Sequence, residues 1–315
     1  MRDLATRTVM ITGAGGFVGR RVADVVRKRG CCDLLTPSRM QCDLLDAVQT
    51  QKYVSTHAPD VVIHIAAATG GVAWNAMHAF EAFRDNTLMT LHLIDAMRTR
   101  GCGHVTHVST SIAYPSDTPV PWLEDTLWNG RPGGPTAGYA HAKRMGEVML
   151  ELAASRSDLT SAVVMPANTY GSGARMDSDR ANVVAGMVRR FVEAAFDNAE
   201  EVTCWGSGRA QREFIHVDDV AEGIVRATER LDTPEPVNLG TGRMVSIEDL
   251  AKMVAKAADW KGRVCWDATR PDGVPAVCCD ISRMKALLAW SPETELEAGV
   301  EEMVHWYRQE CGHTS

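Results

Sequence analysis

Short, continuous apolar runs alternate along this chain with longer segments that are apolar on one face only. The first run, Thr8–Thr12, passes through a glycine-rich turn into a segment with helical spacing over 17–29. The same alternation predicts strands over 33–35, 61–66, 104–109 and 161–165, and helices over 47–57, 79–100 and 139–155. Strands that read as unbroken apolar runs between amphipathic helices are buried on both faces, which predicts a parallel sheet covered on each side.

The order changes after Tyr170-Gly171. A polar loop over 171–181 leads to a helix over 182–195. Short strands over 202–205 and 212–216 then flank the turn Gly206-Ser207-Gly208. A helix begins at Ser246, and Pro271-Asp272-Gly273 marks another turn. The expected organisation is α/β: residues 1–170 form a doubly wound, Rossmann-type NAD(P)-binding domain, with 213–240 returning to it. Residues 171–315 form a smaller lobe that binds substrate over the carboxyl edges of the strands.

Composition narrows the function. The chain has 315 residues, 45% hydrophobic and 23% charged, as in a compact enzyme rather than a disordered chain. A formal net charge of -7 argues against a nucleic-acid partner but leaves room for a locally basic pocket. Nine cysteines, an odd number without paired C-x-x-C units, predict free thiols in a reducing cytoplasm and no metal site. Arg2, Asp3 and Arg7 precede the first strand, so no secretory leader is expected. The longest apolar run, 61–68 with His64 inside it, is too short to span a membrane.

Gly13-Ala14-Gly15-Gly16-Phe17-Val18-Gly19 lies between the first strand and the first helix. Glycines at 13, 16 and 19 permit a tight turn, and the helix start at Phe17 and Val18 offers free amides to a pyrophosphate. An acidic residue after the second strand would bind the ribose hydroxyls of NAD. Here Thr36-Pro37-Ser38-Arg39 stands there, and Ser38 with Arg39 suits the 2′-phosphate of NADP(H), NAD(H) remaining the alternative. Asp43 and Leu44 are candidate adenine contacts, and Ala66, Ala67 and Ala68 let the backbone approach the cofactor. Tyr139 and Lys143, four apart, share a helix face; an ammonium beside the phenol is expected to lower its pKa and fit it for proton transfer. Thr110, at a strand end, can hold the same substrate oxygen.

With these residues in this order, the sequence resembles the extended short-chain dehydrogenase/reductase family over nearly its whole length. Asn86 and Met165-Pro166-Ala167-Asn168-Thr169-Tyr170-Gly171 match the family pattern. The likeness is greatest to the GDP-L-fucose synthase branch, through residues 65–72, Arg189-Arg190-Phe191, and Lys261-Gly262-Arg263 leading to Pro271-Asp272-Gly273. The run from Trp205-Gly206-Ser207-Gly208 to Arg212-Glu213-Phe214-Ile215-His216-Val217-Asp218-Asp219 is the most specific part. The resemblance implies that Pro166 contacts the cofactor. It also implies that Ser111, Ile112, Asn168, Asn182, Arg190, Trp205, Arg212 and Asp272 face a GDP-linked nucleotide sugar, with Arg190 and Arg212 on its diphosphate or sugar. It further implies a homodimer. His216 is expected to be a satisfied structural histidine, and Asp218 a brace for a neighbouring loop.

The chain departs from that branch at two places. Its members invert C3 and C5 of a 4-keto sugar before reducing C4, using a Cys and a His where this chain has Ile112 and Asn182. Neither replacement is an acid or base near neutral pH. Loss of both inversions is therefore expected, with reduction at a single carbon, C4, retained. Ser111, Asp177 and Asp179 are possible substitutes. The rivals left open are a C4-epimerase with tightly bound NAD, a full epimerase/reductase using substitute groups, and a cofactor-sensing protein without catalysis. A 4,6-dehydratase is disfavoured, since Ser111-Ile112 replaces the Asp-Glu pair that such relatives carry after the strand-end Thr.

Overall fold

The computed structural model describes residues 1–177, 181–270 and 272–312. Pro271 and Asp179, named above, lie outside them. The first part of the chain alternates as its pattern predicts: β1 (Thr8–Thr12), α1 (Phe17–Lys28), β2 (Asp33–Leu35), α2 (Ala47–His57), β3 (Val61–His64), α3 (Val72–Met77), α4 (Ala79–Arg100), β4 (Cys102–Val108), α5 (Ala137–Ala154) and β5 (Asp158–Pro166). The remainder comprises β6 (Asn168–Tyr170), α6 (Val183–Phe196), β7 (Glu201–Trp205), β8 (Gln211–Arg212), β9 (Phe214–His216), α7 (Val217–Arg230), β10 (Pro236–Leu239), β11 (Val245–Ser246), α8 (Ile247–Ala257), β12 (Arg263–Asp267), α9 (Ser282–Leu288) and α10 (Leu296–Glu310).

Six strands form one parallel sheet in the order β10-β5-β4-β3-β1-β2. Alternate residues of β1 feed opposite cores. Val9 and Ile11 pack with Val22 and Val26 of α1 and Val220 and Ile224 of α7, whereas Met10 packs with Leu93 and Met97 of α4. The winding reverses between β1 and β3, which places a crevice at their carboxyl ends, where open sheets of this kind bind ligands. A third core joins α6, α8 and α10 through Phe191, Leu250, Val254 and Met303, beside the parallel pair β7–β12.

Strand β5 begins three residues before its expected start, and two expected strands end or break early, each because a side chain captures backbone amides. The run expected over 61–66 stops at His64. Thr12 at the end of β1 turns its hydroxyl to accept from the amides of Ile65 and Ala66, both at 3.2 Å, which peels the chain off the sheet. The strand expected over 212–216 breaks at Glu213. That side chain is fully buried, and its carboxylate accepts from the amides of Thr241 and Gly242 (2.6 Å each) and Cys279 (2.7 Å). On one side of it β8 pairs with β11, and on the other β9 pairs with β6. An alternation pattern carries no signal for either event.

Candidate active site

The glycine turn is built by close approach. Gly13 has φ +72°, and a Cβ there would lie 2.8 Å from the Cα and N of Ala66, so only glycine lets β1 leave the sheet against β3. A Cβ on Gly19 would overlap the Gly13 carbonyl, which fixes how tightly α1 starts. Gly16 caps that helix without a side chain, leaving its first-turn amides and positive dipole end uncovered by any capping group. This cradle fits a dinucleotide pyrophosphate.

Two clefts share Gly13, Gly16, Ala66 and Ala67. The first runs towards the end of β2 and holds Ser38, Arg39, Asp43, Leu44 and Ala68. Ser38 is tied to Gln41, its N–H and hydroxyl both directed at the Gln41 amide oxygen at 2.8 and 2.9 Å. Arg39 meets Asp43 at 3.2 Å with its side chain 76% exposed. A pair so exposed is worth about 0–1 kcal/mol, too little to hold the guanidinium from an arriving anion. Asn86 lines neither cleft. Buried in α4, it accepts from the Ala68 N–H at 2.9 Å and donates to the Ala68 carbonyl at 2.8 Å, pinning the alanine run from behind.

The second cleft brings together Thr110, Ser111, Ile112, Tyr139, Lys143, Pro166, Asn168 and Asn182 with the helix start at Phe17, Val18 and Gly19. Thr110 follows β4, and its hydroxyl accepts from the Ile112 N–H at 3.4 Å, closing a short helical turn. Lys143 is buried, donates to the Val108 carbonyl at 2.8 Å, and stands 5.8 Å from the centre of the Tyr139 ring. The expected lowering of the Tyr139 pKa is corrected here. Burial dominates at both groups, raising the Tyr139 phenol above its ordinary range and pushing the Lys143 ammonium down to about 7.

Residues 9–240 match the family described as "NAD dependent epimerase/dehydratase family". The chain belongs to it. One relative, the GDP-L-fucose synthase of Escherichia coli (strain K12), is 30% identical over 313 residues, which span 96% of this chain and 97% of the relative. Among solved structures, a GDP-6-OMe-4-keto-L-xylo-heptose reductase from C. jejuni superposes with a TM-score of 0.90 at 23% identity, covering 97% of this chain and 99% of that one. A GDP-L-fucose synthetase from Naegleria fowleri bound to NADP gives 0.90 at 21% identity, covering 100% and 96%. These two likenesses establish the fold.

Within this member of the epimerase/dehydratase family, Ile112 and Asn182 have distinct settings. Ile112 is a half-buried aliphatic wall. Asn182 is the N-cap of α6: its side-chain oxygen accepts from the Ala185 N–H and its NH₂ donates to the Thr169 carbonyl, both at 2.9 Å. Its amide is committed at both ends. Asn182→Ala is therefore expected to cost about 1 kcal/mol and lower the Tm by about 1–2 °C, read by thermal unfolding; an unchanged Tm would contradict the cap's contribution.

Arg190, Trp205, Arg212 and Asp272 do not line this cleft. They stand apart from it, beside the β7 end, where Arg212 and Asp272 are joined to each other. Arg190 donates to the Thr203 carbonyl at 2.9 Å, and Arg212 to the Asp272 carbonyl at 3.1 Å, while the Asp272 carboxylate accepts from the Ser207 N–H at 2.6 Å and its hydroxyl at 2.7 Å. Exposed Trp205 lies beneath Arg270, 5.1 Å away. His216 is the buried N-cap of α7, set edge-on to Tyr170, and Asp218 meets Arg21 of α1 at 3.3 Å.

The sequence reading passed over Arg144. Its buried guanidinium donates to the carbonyls of Ala113 and Gly130, both at 2.7 Å, fastening the Thr110 loop to the Tyr139 helix. A charged residue next to Lys143 reads as solvated in one dimension. His64 and His107, buried under the cleft floor, were equally silent.

Proposed function

We propose that this protein is an NADPH-preferring reductase of the C4 ketone of a GDP-linked 4-keto-6-deoxyhexose, leaving C3 and C5 uninverted. One observation carries the reading: Thr110, Tyr139 and Lys143 share a cleft with Ile112 and with an Asn182 already spent as a helix cap. The redox group is complete and the inversion group is not. The glycine turn from Gly13 to Gly19 would hold NADPH, with Arg39 and Ser38 at its ribose phosphate, and the cofactor would supply hydride for C4. Tyr139 donates its phenolic proton to the ketone oxygen, and Thr110 donates a hydrogen bond to the same oxygen. The raised Tyr139 pKa keeps that proton in place until the oxygen becomes basic.

Inversion at C3 or C5 needs a group that removes a proton and one that returns it, which an aliphatic wall and a capping amide do not do. Asp177 is exposed, and Ser111 offers an alcohol hydroxyl, which is neither an acid nor a base near neutral pH. The GDP moiety is supported by the Escherichia coli relative and by Arg190 and Arg212. Half-buried Arg212 donates, among the described residues, to the carbonyls of Gln211 and Asp272, which leaves further donors of its guanidinium fork for a diphosphate. Exposed Phe80, Phe83 and Leu91 on α4, with Leu152 on α5, support a homodimer through those helices. The buried free thiols Cys31, Cys42, Cys204, Cys278 and Cys279 suit a reducing cytoplasm. Among the described residues, no helix is long and apolar enough to cross a membrane.

The test is incubation with GDP-4-keto-6-deoxymannose in deuterated water, with NADPH or NADH in parallel, followed by NMR of the product. Oxidation of NADPH, faster than of NADH, is expected, with no deuterium at C3 or C5. Deuterium at either carbon would overturn the loss of inversion. Turnover of a 4-hydroxy sugar without added cofactor would instead identify a C4-epimerase.

A further inference from the structure

Beneath Lys143 lies a pair of buried imidazoles that the chemistry above does not use. His107 is the penultimate residue of β4, and His64 lies beside it in register at the end of β3, with the two rings 5.7 Å apart. His64 is satisfied on both sides. Its Nδ1 meets the Thr12 hydroxyl at 2.8 Å, and its Nε2 the Thr90 hydroxyl at 3.2 Å. Thr12 already accepts two amides and Thr90 already donates to the Asn86 carbonyl, so Thr12 donates to Nδ1 and Nε2–H donates to Thr90.

His107 is different. Its Nε2 reaches the backbone carbonyl of Lys143 at 3.2 Å, while its Nδ1 is buried without a partner among the described residues. A carbonyl only accepts, so Nε2 carries the hydrogen. The neighbouring residue, Val108, offers its carbonyl to the Lys143 ammonium. The end of β4 thus grips Lys143 at both its main chain and its side-chain tip. The fit is close, because a Cβ on Gly146, one turn along α5, would overlap the His107 ring. A phenylalanine would fill this notch at no polar cost, whereas burying an unpaired ring nitrogen costs about 1–3 kcal/mol.

We propose that His107 is a positioning residue for reduction, seating α5 at the Lys143 carbonyl so that the Lys143 ammonium stays on Val108 and the Tyr139 phenol stays aimed into the cleft. The assignment rests on the reading of Tyr139 and Lys143 as the proton-handling pair. Titratable groups facing Lys143 are His107 from β4, His64 from β3 and Tyr139 from its own helix. Burial holds both imidazoles neutral, with His107 pushed down to about 3, so neither neutralises nor repels the ammonium near pH 7. If the seat loosens, water reaches the ammonium and its titration moves up towards that of a solvated lysine.

The test compares His107→Phe, which keeps a ring but loses the donor, with His107→Gln, whose amide N–H reaches the Nε2 position. In His107→Phe, kcat is expected to fall about ten- to a hundredfold with KM within about twofold, and the alkaline limb of the kcat–pH profile should move to higher pH. His107→Gln should retain kcat within about threefold, with the limb unmoved. A folded His107→Phe protein with wild-type kcat and pH profile overturns the proposal. Should that variant not fold, a His107→Gln protein with depressed kcat and an unmoved limb overturns it equally. Tyr139→Phe is run alongside: retained turnover there would defeat the functional reading itself, whereas an inactive Tyr139→Phe with a normal His107→Phe defeats only the positioning role.

Discussion

Tyr139→Phe is expected to lower kcat for ketone reduction by about 10²–10⁴-fold while leaving NADPH binding within about twofold. The substitution removes one oxygen from a half-buried ring and leaves α5, the glycine turn and the Arg39 end of the cleft unchanged. Only the proton delivered to the C4 oxygen is lost. In the proposed mechanism Thr110 would still polarise the ketone, so the expected residual rate is small rather than zero. The effect should appear in kcat and kcat/KM together, because the missing bond matters in the transition state. Single-turnover hydride transfer and cofactor titration separate the two quantities. A Phe variant that reduces ketone at the wild-type rate would remove Tyr139 from the chemistry.

Lys143→Met should inactivate the enzyme and stabilise it. Burial pushes the Lys143 ammonium from 10.5 down to about 7. Between those values the unfolded chain holds the proton and the native protein does not, so native stability rises with pH across the window. Below about pH 7 both states are protonated and the full cost of the buried charge is present. At about 1.4 kcal/mol per unit that cost is on the order of 5 kcal/mol, reduced by about 1–2 kcal/mol because methionine strands the Val108 carbonyl. A net gain on the order of 3 kcal/mol at pH 6, and a Tm rise of about 5 °C, is expected, fading towards pH 10. Thermal unfolding of both proteins at pH 6 and pH 9.5 measures it. A gain that does not shrink with pH would show that the charge is not what is relieved.

The sequence made the scaffold legible because apolar runs and helical spacing report burial directly. β1, β2, α2 and α4 stand where the pattern puts them, and the Gly13 turn joins β1 to α1. Strand ends were less legible, since Thr12 and Glu213 redirect the chain through side-chain bonds to distant amides. The spacing of Tyr139 and Lys143 showed that they share a face. It did not show that this face is dry, and the expected sign of the Tyr139 shift was therefore reversed. Arg144 and His107 stayed hidden for a similar reason, as polar residues whose partners are backbone carbonyls leave no pattern of complementary side chains.

Glu213 joins segments that lie far apart in the sequence. Its carboxylate gathers the chain at Thr241, Gly242 and Cys279, while its own carbonyl accepts from the Asn168 side chain, on the cleft wall, at 2.8 Å. A buried acid with amide partners and, among the described residues, no ion-pair partner is thus a common reference point for the carboxyl edge of the sheet and the segments packed over it. The wall that would meet the sugar is surveyed from the same benchmark as the segments that cover it, so damage far out in the chain, near Cys279, has a short route to Asn168 through Glu213.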